Sequence, residues 1–250
     1  MNDHSAKFPK FYMTEAAPCP YLEGQMERKV FTDLVGEDAA KRHETLNLMG
    51  FRRSQNIIYR PACEGCAKCI SVRVRAQEFE PGKTMARTLK KFKALRIEDQ
   101  DPLASAEQFE LLKTYLVTRH AGGGMVSMDE FEYSEMVESS PVTTRLVEYH
   151  EAGPEGTVNL KGSLVGVGLT DVMSDGLSLV YSFFNTEKGY SGLGTFIILD
   201  HILKAKAAGL KYVYLGYWIK DSRTMAYKAR FQPLDYLGEG GWQPLPKQIP

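Results

Sequence analysis

The stretch from residue 181 to residue 218 constrains the fold most, because it predicts four elements in direct succession. It opens with a short aromatic, β-prone run, Tyr181–Phe184, and continues into a turn rich in glycine. From Thr195 onward, the sequence FIILDHILKAKAA places apolar residues on one face of a helix. Gly209 predicts a left-handed helix end, and the run 211–217 predicts a second strand. The chain therefore contains a strand–turn–helix–strand unit.

The glycine turn of this unit, with Gly189, Gly192 and Gly194, predicts an anion site. A glycine turn that opens a helix presents free backbone N–H groups and the positive end of the helix dipole. Antiparallel strands followed by such a turn, a helix and a strand are similar to the layout of GNAT-type acyltransferases, whose turn holds the pyrophosphate of coenzyme A. Glycine stands here at 189, where that pattern has arginine or glutamine.

The order of elements predicts an α+β fold with two domains. Two helices, with capping boxes at Ser105–Gln108 and Ser127–Glu130, precede three or four antiparallel strands and the 181–218 unit. By its similarity to that layout, we expect residues 101–250 to form a GNAT-like acyltransferase domain with a mixed, mostly antiparallel sheet. A smaller domain that contains the cysteines, residues 1–100, comes before it, and the acids and proline of EDQDPLA mark the boundary.

The charge balance and the lengths of the apolar runs limit which partners and which cellular location we expect. The 250 residues carry 31 basic and 31 acidic side chains, so any nucleic-acid site must be a local patch. No apolar run approaches the roughly 18–20 residues that span a bilayer. The start, MNDHSAKFPKFYM, lacks the apolar core of a signal peptide. We expect a cytoplasmic protein with no membrane partner.

The four cysteines of the chain predict a metal centre. Cys63, Cys66 and Cys69 are spaced two residues apart, and Cys19 precedes a proline. Thiolates at this spacing can converge on one metal, and a reducing compartment disfavours disulfides. Zinc and an iron–sulfur cluster fit the spacing equally well, and a redox thiol pair is the remaining alternative.

A basic stretch, residues 83–96, predicts a surface for a phosphate backbone. It holds six Lys or Arg side chains and no acid, whereas ordinary surface helices mix both signs. Arginines upstream extend the basic character: Arg52, Arg53, Arg60, Arg73 and Arg75.

Two upstream stretches predict single strands. FRRSQNIIYRP, residues 51–61, predicts a basic strand that ends at Pro61. ISVRVRA, residues 70–76, alternates apolar and polar residues, which predicts a half-exposed strand with Arg73 and Arg75 on one face.

These motifs together resemble the aminoacyl-tRNA–protein transferases of the arginyltransferase family, in particular its bacterial leucyltransferase branch. The strings that carry the resemblance in the first half are PCPYL at 18–22, GFRRS at 50–54, YRP at 59–61, the 63–69 cysteine cluster and VRV at 72–74. Those in the second half are RHAGGGM at 119–125, DGLSLVYSFF at 175–184, YLGYWI at 214–219 and MAYKARF at 225–231. Eukaryotic relatives have a second cysteine where this chain has Leu22.

The resemblance implies transfer of an amino acid from its tRNA to the α-amine of a protein's N-terminal Asp or Glu, which marks that protein for N-degron degradation. The bacterial branch donates leucine and the eukaryotic one arginine, so Leu-tRNA is the favoured donor and Arg-tRNA the alternative. An aminoacyl ester is already activated, so neither ATP nor coenzyme A is expected.

The implied reaction suggests roles for individual residues. Asp171, Tyr181 and Tyr214 lie on strands that could border the reaction groove and are the candidate catalytic residues. An acidic acceptor needs cations, for which the candidates are Arg60, Arg73, Lys228 and Arg230. Candidate contacts for tRNA phosphates are Lys83, Arg87, Lys90, Lys91, Lys93, Gly192 and Gly194.

Two other functions fit part of the same pattern. A coenzyme A-dependent N-acetyltransferase would use the same fold, and acetyl-CoA binding would reveal it. A nucleic-acid-binding module with a cysteine-bound metal would bind tRNA without any peptide transfer.

Overall fold

The computed structural model describes residues 9–153 and 162–246. The strands, numbered in chain order, are β1 (Tyr12–Met13), β2 (Ala17–Pro18), β3 (Met26–Glu27), β4 (Lys29–Asp33), β5 (Arg52–Ser54), β6 (Ile57–Pro61), β7 (Ile70–Arg75), β8 (Arg96–Gln100), β9 (Thr144–His150), β10 (Leu164–Val172), β11 (Gly176–Phe184), β12 (Tyr212–Trp218), β13 (Leu234–Gly238) and β14 (Gly241–Pro244). The α-helices are α1 (Ala39–Leu48), α2 (Lys83–Lys91), α3 (Ala106–Arg119), α4 (Glu130–Glu138) and α5 (Leu193–Ala207). No helix in these described ranges combines the length and apolar character needed to cross a bilayer.

A small sheet, which we call the N-terminal sheet, has the strand order β1–β4–β6–β5. Helix α1 packs against the N-terminal sheet. Apolar side chains of the helix and of the sheet region form a separate small core that includes Leu34, Leu46 and Ile58. Gly50, at a φ of +88°, ends the helix and turns the chain into β5, a conformation that favours glycine.

The large sheet has eight strands in the order β14–β13–β7–β12–β11–β10–β9–β8. Its neighbouring strands run antiparallel except for β11 and β12, which are parallel. The predicted class, α+β with a mixed and mostly antiparallel sheet, is therefore confirmed. Strands β7 and β8 precede residue 101 and still belong to this sheet, while the division into domains 1–100 and 101–250 stays a prediction.

The two faces of the large sheet carry different layers. Thr170 contacts His201 of α5 on one face, and the neighbouring Asp171 contacts Arg53 of the N-terminal sheet on the other. Helices α3 and α4 share the second face, where Leu112 and Tyr133 pack against strands β9 to β11. Because successive side chains of a strand point to opposite faces, α5 and the N-terminal sheet enclose the large sheet between them.

The 181–218 unit folds as the sequence predicts, with β11, α5 and β12 in succession. Gly192 caps α5 at a φ of +97°, which favours glycine. A Cβ on Gly194 would lie 2.6 Å from the Phe184 ring, so this glycine allows α5 to approach β11. The glycines of the turn thus have a clear folding role.

Three local predictions were wrong. Residues 51–61 form a hairpin of β5 and β6, because Gln55 adopts a positive φ and reverses the chain. Strand β7 is buried on both faces, because β12 and β13 flank it and C-terminal side chains cover its arginines. The second capping box is formed by Asp129 and Glu132, two residues beyond the predicted one.

Candidate active site

The parallel strands β11 and β12 diverge in the middle of the large sheet. Their ladder pairs Gly176 with Tyr212 and ends where Ser178 pairs with Tyr214. Strand β11 continues to Phe184, bonded on its other side to β10. The backbone groups of residues 179–184 that face away from β10 therefore border a gap, which we call the β11–β12 opening. Such an edge can accept hydrogen bonds from, and donate them to, an extended substrate.

A group of tyrosines lies beside this opening: Tyr21, Tyr115, Tyr181 and Tyr227. Tyr181 interacts electrostatically with Tyr115 and Tyr21, and Tyr227 interacts with Tyr115. The ring centroid of Tyr115 is 5.0 Å from that of Phe184, at the end of β11. Helix α3, the N-terminal segment and the chain after β12 thus meet at one place.

A phenol with its ordinary pKa of about 10 is neutral at physiological pH, and in Tyr181 and Tyr21 this neutral form is reinforced by burial. Burial raises the pKa of Tyr181 well above its ordinary value, with smaller effects from Tyr115 and Tyr21. It also raises the pKa of Tyr21 to about 12. A neutral phenol donates a hydrogen bond and is a poor proton acceptor. Tyr181 is therefore suited to stabilise negative charge on a substrate oxygen.

The other two candidate catalytic residues, Tyr214 and Asp171, are buried, and their polar atoms already have hydrogen-bond or ion-pair partners. Tyr214 donates to Asp175 at 2.8 Å and accepts from Arg73 at 3.2 Å. Asp171 has no exposed surface and binds Arg53 through both oxygens. Because their polar atoms already have partners, both residues are well suited to hold the fold together. Their predicted catalytic roles stay predictions.

The four candidate acceptor cations lie in different environments. Arg73 is buried, 3.4 Å from Asp235, with its guanidinium over the rings of Tyr212 and Trp242. Arg60 lies over the Phe51 ring, and Arg230 is exposed and donates to Tyr227 O. Lys228 is buried in the short helical turn Ala226–Arg230. The four candidates thus differ in burial and in their partners, and their role toward the acceptor stays a prediction.

Lys228 stands out because its ammonium is enclosed. Its Nζ donates to Tyr217 O at 2.6 Å, at the end of β12. Burial, and secondarily the Arg52 cation, lowers the pKa of Lys228 to about 7. A Cβ on the neighbouring Gly216 would have one atom within 4 Å, Lys228 Nζ at 3.8 Å. There is thus room beside this amine.

The predicted tRNA contacts do converge. The five predicted lysine and arginine contacts of the stretch are all exposed: Lys83, Arg87, Lys90, Lys91 and Lys93. Helix α2, which carries four of them, packs against α5, and Lys91 Nζ donates to Ser191 O at 2.7 Å. The basic helix and the glycine turn at 192–194 therefore form one continuous cationic surface. By contrast, Arg52, Arg53 and Arg73 are buried and do not extend this surface, whereas Arg60 is exposed and Arg75 is partly exposed.

The four cysteines are free thiols in one part of the N-terminal region. Burial raises the pKa of Cys69 to about 11, and Cys63, Cys19 and Cys66 raise it further, so all four interact. Their chemistry fits a soft metal, since four sulfurs and no oxygen are offered. Within the described chain, no three of these sulfurs lie within 4.8 Å of one another, so ligation requires the 63–69 loop to close in.

The sequence did not reveal Tyr21, Tyr115 and Tyr227 as neighbours of Tyr181. Tyr21 lies in the PCPYL string and Tyr227 in MAYKARF, two of the strings that carry the family resemblance. The position of Tyr21 and Tyr227 within these strings was the sequence signal that could have identified them. Tyr115 lies on a helix face that also packs the core, so nothing in its sequence position distinguished it from a core residue.

The glycine-capped helix and the β11–β12 opening give the large sheet the layout expected of a GNAT-like fold. Residues 17–87 match the family description "Arginine-tRNA-protein transferase, N terminus", and residues 107–238 match its C terminus. The chain belongs to the arginine-tRNA–protein transferase family, which confirms the resemblance and the enzyme class. It is an aminoacyl-tRNA–protein transferase.

Curated relatives match over nearly the whole chain. The "Aspartate/glutamate leucyltransferase" of Sphingomonas elodea is 50% identical over 238 residues, which are 95% of this chain and 90% of the relative. The protein of the same name from Azorhizobium caulinodans is 50% identical over 245 residues, 97% of this chain and 98% of the relative. Among solved structures, L-PGS from Bacillus licheniformis is 14% identical with a TM-score of 0.44, over 75% of this chain and 51% of that one.

Proposed function

We propose that this enzyme transfers leucine from Leu-tRNA to the α-amine of a protein's N-terminal Asp or Glu. The observation that carries the proposal is the full-length similarity, at 50% identity, to proteins named aspartate/glutamate leucyltransferase. The acceptor protein is thereby marked for N-degron degradation, and the reaction takes place in the cytoplasm.

The reaction needs positioning more than strong acids or bases. The α-amine attacks the ester carbonyl of the leucyl group, a C–N bond forms, and the bond to the terminal ribose oxygen breaks. An α-amine has an ordinary pKa of about 7.7–8.0, so much of it is already unprotonated at neutral pH. The proton that it loses passes, through water, to the departing ribose oxygen.

Tyr181 is the residue that we propose for stabilising the tetrahedral intermediate. Its hydroxyl is neutral and lies in the tyrosine group beside the β11–β12 opening. A donor aimed at a developing oxyanion in a poorly hydrated site stabilises the transition state more than the ester. The unpaired edge of residues 179–184 supplies further backbone groups to hold the aminoacyl end.

The cationic surface of α2 and the glycine turn is the proposed site for tRNA phosphates. The exposed lysines of α2 have no acidic residue on the same helix, and Lys91 is anchored at the turn. Free amides at the start of α5 add donors for a phosphate. This surface adjoins β11, so a bound acceptor stem could deliver its 3′ end to the opening.

The four cysteines are proposed to hold zinc or an iron–sulfur cluster that stabilises the N-terminal region. Bound metal would cross-link the segment after β2 to the loop between β6 and β7. Metal analysis of anaerobically purified protein tests this, and a visible absorption band distinguishes an iron–sulfur cluster from zinc, which has none. Protein purified with neither metal would overturn it.

A transfer assay tests the function. Radiolabelled Leu-tRNA should label peptides that begin with Asp or Glu and leave an otherwise identical peptide that begins with Lys unlabelled. Labelling from Arg-tRNA instead would indicate the arginyl donor, and tight acetyl-CoA binding in calorimetry would indicate an N-acetyltransferase. Binding of tRNA without any transfer would indicate a nucleic-acid-binding module.

A further inference from the structure

Arg52 is a buried arginine with half of its guanidinium unpaired. It lies on β5 and is 6% exposed. Its Nη1 donates to Asn47 Oδ1 at 2.9 Å and to Phe51 O at 2.8 Å. Among the described residues, its Nε and Nη2 have no hydrogen-bond partner. These two N–H groups form the edge that binds a carboxylate through two parallel hydrogen bonds.

The adjacent Arg53 shows the same edge in use. Its Nε and Nη2 bind the two oxygens of Asp171 at 2.7 and 2.6 Å. Arg52 lies instead against the rings of Tyr214 and Tyr217, with Cζ 5.5 and 5.9 Å from their centroids. Ring faces attract the cation but do not accept hydrogen bonds from its edge as a carboxylate does. A buried, half-satisfied guanidinium is costly, which points to a ligand.

A second buried cation lies close to Arg52. Lys228 is 8% exposed and feels the Arg52 charge, and there is room between its Nζ and Gly216. The acids on this side of the large sheet have other partners: Asp171 pairs with Arg53, Asp235 with Arg73 and Arg75, and Asp175 with Tyr214. An anionic ligand would neutralise the buried Arg52 charge and would favour the ammonium form of Lys228, whose pKa burial lowers to about 7.

We propose that the Nε–Nη2 edge of Arg52 binds the side-chain carboxylate of the acceptor's N-terminal Asp or Glu, with Lys228 as the second cation. This inference rests on the proposed function, and it assigns the acceptor specificity to a residue pair. A carboxylate accepts both N–H groups of the edge, whereas the amide of Asn or Gln turns its own NH₂ toward a donor. The pair therefore selects acids over their amides by leaving the amide's donors unmatched.

The geometry also explains why lysine could not replace Arg52. A lysine supplies a point charge without the planar pair of donors. Its Nζ would also lose the contacts with Asn47 and Phe51 that fix the orientation of the guanidinium. The Arg52→Lys substitution therefore keeps the positive charge and removes the planar pair of N–H donors, so it tests the role of that pair.

Acceptor peptides that differ in their first residue test the proposal. With Leu-tRNA as donor, kcat/KM is measured for peptides that begin with Asp and with Asn, using the wild type and Arg52→Lys. Arg52→Lys should lower kcat/KM for the Asp peptide by about a hundredfold, mostly through KM, because the positive charge remains but the two parallel hydrogen bonds of the guanidinium edge are lost. The ratio of Asp to Asn should fall toward one. An unchanged ratio overturns the proposal.

Arg53→Lys is the matched control, since its fork is filled by Asp171. It should lower the thermal midpoint and leave the ratio of Asp to Asn unchanged in the folded enzyme. If Arg52→Lys folds poorly, the wild-type protein still gives an answer through ¹⁵N spectra of arginine Nε–H groups. An Asp-Ala dipeptide should shift a buried Nε–H resonance downfield, and Asn-Ala should not. Equal effects of both dipeptides, or none, overturn the proposal.

The two proposals fail in different ways. If the wild type transfers no leucine to any peptide, the proposed function is wrong. If it does transfer leucine to Asp peptides and Arg52→Lys keeps the same preference, the function stands and the role of Arg52 is wrong.

Discussion

Arg53 and Asp171 form a two-point ion pair that joins the N-terminal sheet to the large sheet. Nε lies 2.7 Å from Oδ2 and Nη2 lies 2.6 Å from Oδ1. Thr144 donates to the same carboxylate at 2.8 Å, and His43 Nε2 lies 3.4 Å from it. Since the side chains of Arg53 and Asp171 are 1% and 0% exposed, neither charge can turn to water without separating the two sheets.

Asp171→Asn should destabilise the protein strongly. The substitution leaves the Arg53 cation buried without a counter-ion, which costs about 3–5 kcal/mol in comparable buried pairs. Denaturant titration of both proteins measures the change in the free energy of unfolding. Asp221→Asn removes an exposed partner of Lys68 and should leave that free energy unchanged within error. Equal effects of the two substitutions would contradict the structural role of Asp171.

Gly194→Ala should push α5 away from β11. The new Cβ would lie 2.6 Å from two atoms of the Phe184 ring, and such overpacking costs about 1–3 kcal/mol. Gly189→Ala is the control, because a Cβ there meets no atom within 4 Å. Thermal denaturation should show a lower midpoint for the first variant alone. If Gly194→Ala is as stable as the wild type, the contact between α5 and the Phe184 ring is looser than described.

Stability should fall in acid partly because of His201. This side chain is fully buried, with Nδ1 near Ile197 O and Nε2 bonded to Thr170 Oγ1. Burial lowers its pKa, although Ile197 O and the more distant Asp200 oppose that effect. The unfolded chain therefore binds a proton below about pH 6.5, where the folded protein resists one. The stabilisation is present above that pH and is lost as the pH falls toward the folded pKa.

The comparison of wild type with His201→Gln measures this contribution. Unfolding free energies at several pH values between about 7.5 and 5 should fall less steeply in the variant, which has no group to titrate there. Parallel curves for the two proteins would show that His201 does not contribute.

Lys90→Gln should weaken tRNA binding in a salt-dependent way. Each phosphate contact contributes about 0.7–0.9 to the slope of log K against log salt, so one lost contact should lower the slope by about that amount. Fluorescence titration with Leu-tRNA at several salt concentrations measures it. Lys113→Gln, on the exposed side of α3, is the control and should keep the wild-type slope. The KM for the acceptor peptide should not change in either variant.

The sequence predicted elements well where local chemistry decides them. The run 181–218 gave β11, α5 and β12, because its periodicity and its glycines at 192 and 209 depend on neighbours in the chain. The Ser105–Gln108 capping box was also confirmed. Strand β7 was misjudged, since its alternation suggests one exposed face. That face is covered by Asp235 and Trp242, which no local pattern connects to it.

The site was harder to predict, because neighbouring identical residues have different roles. Arg52 and Arg53 are adjacent and look interchangeable in the sequence, yet one binds Asp171 and the other lies against two tyrosines. The position of a distant carboxylate decides between them. In the same way, Arg73 resembles a free cation in the sequence and is paired with Asp235.

The position of β7 between β12 and β13 has a consequence for synthesis of the chain. Arg73 is separated by 141 residues from Tyr214 and by 162 from Asp235, the partners beside it in the sheet. While the ribosome makes those later residues, Ile70–Arg75 has neither neighbour and exposes a strand with two open edges. Pairing over such long separations is slow, and unpaired edges aggregate. A nascent chain that stalls before residue 234 should therefore depend on chaperones, whereas the released chain contains both neighbouring strands and can complete the sheet.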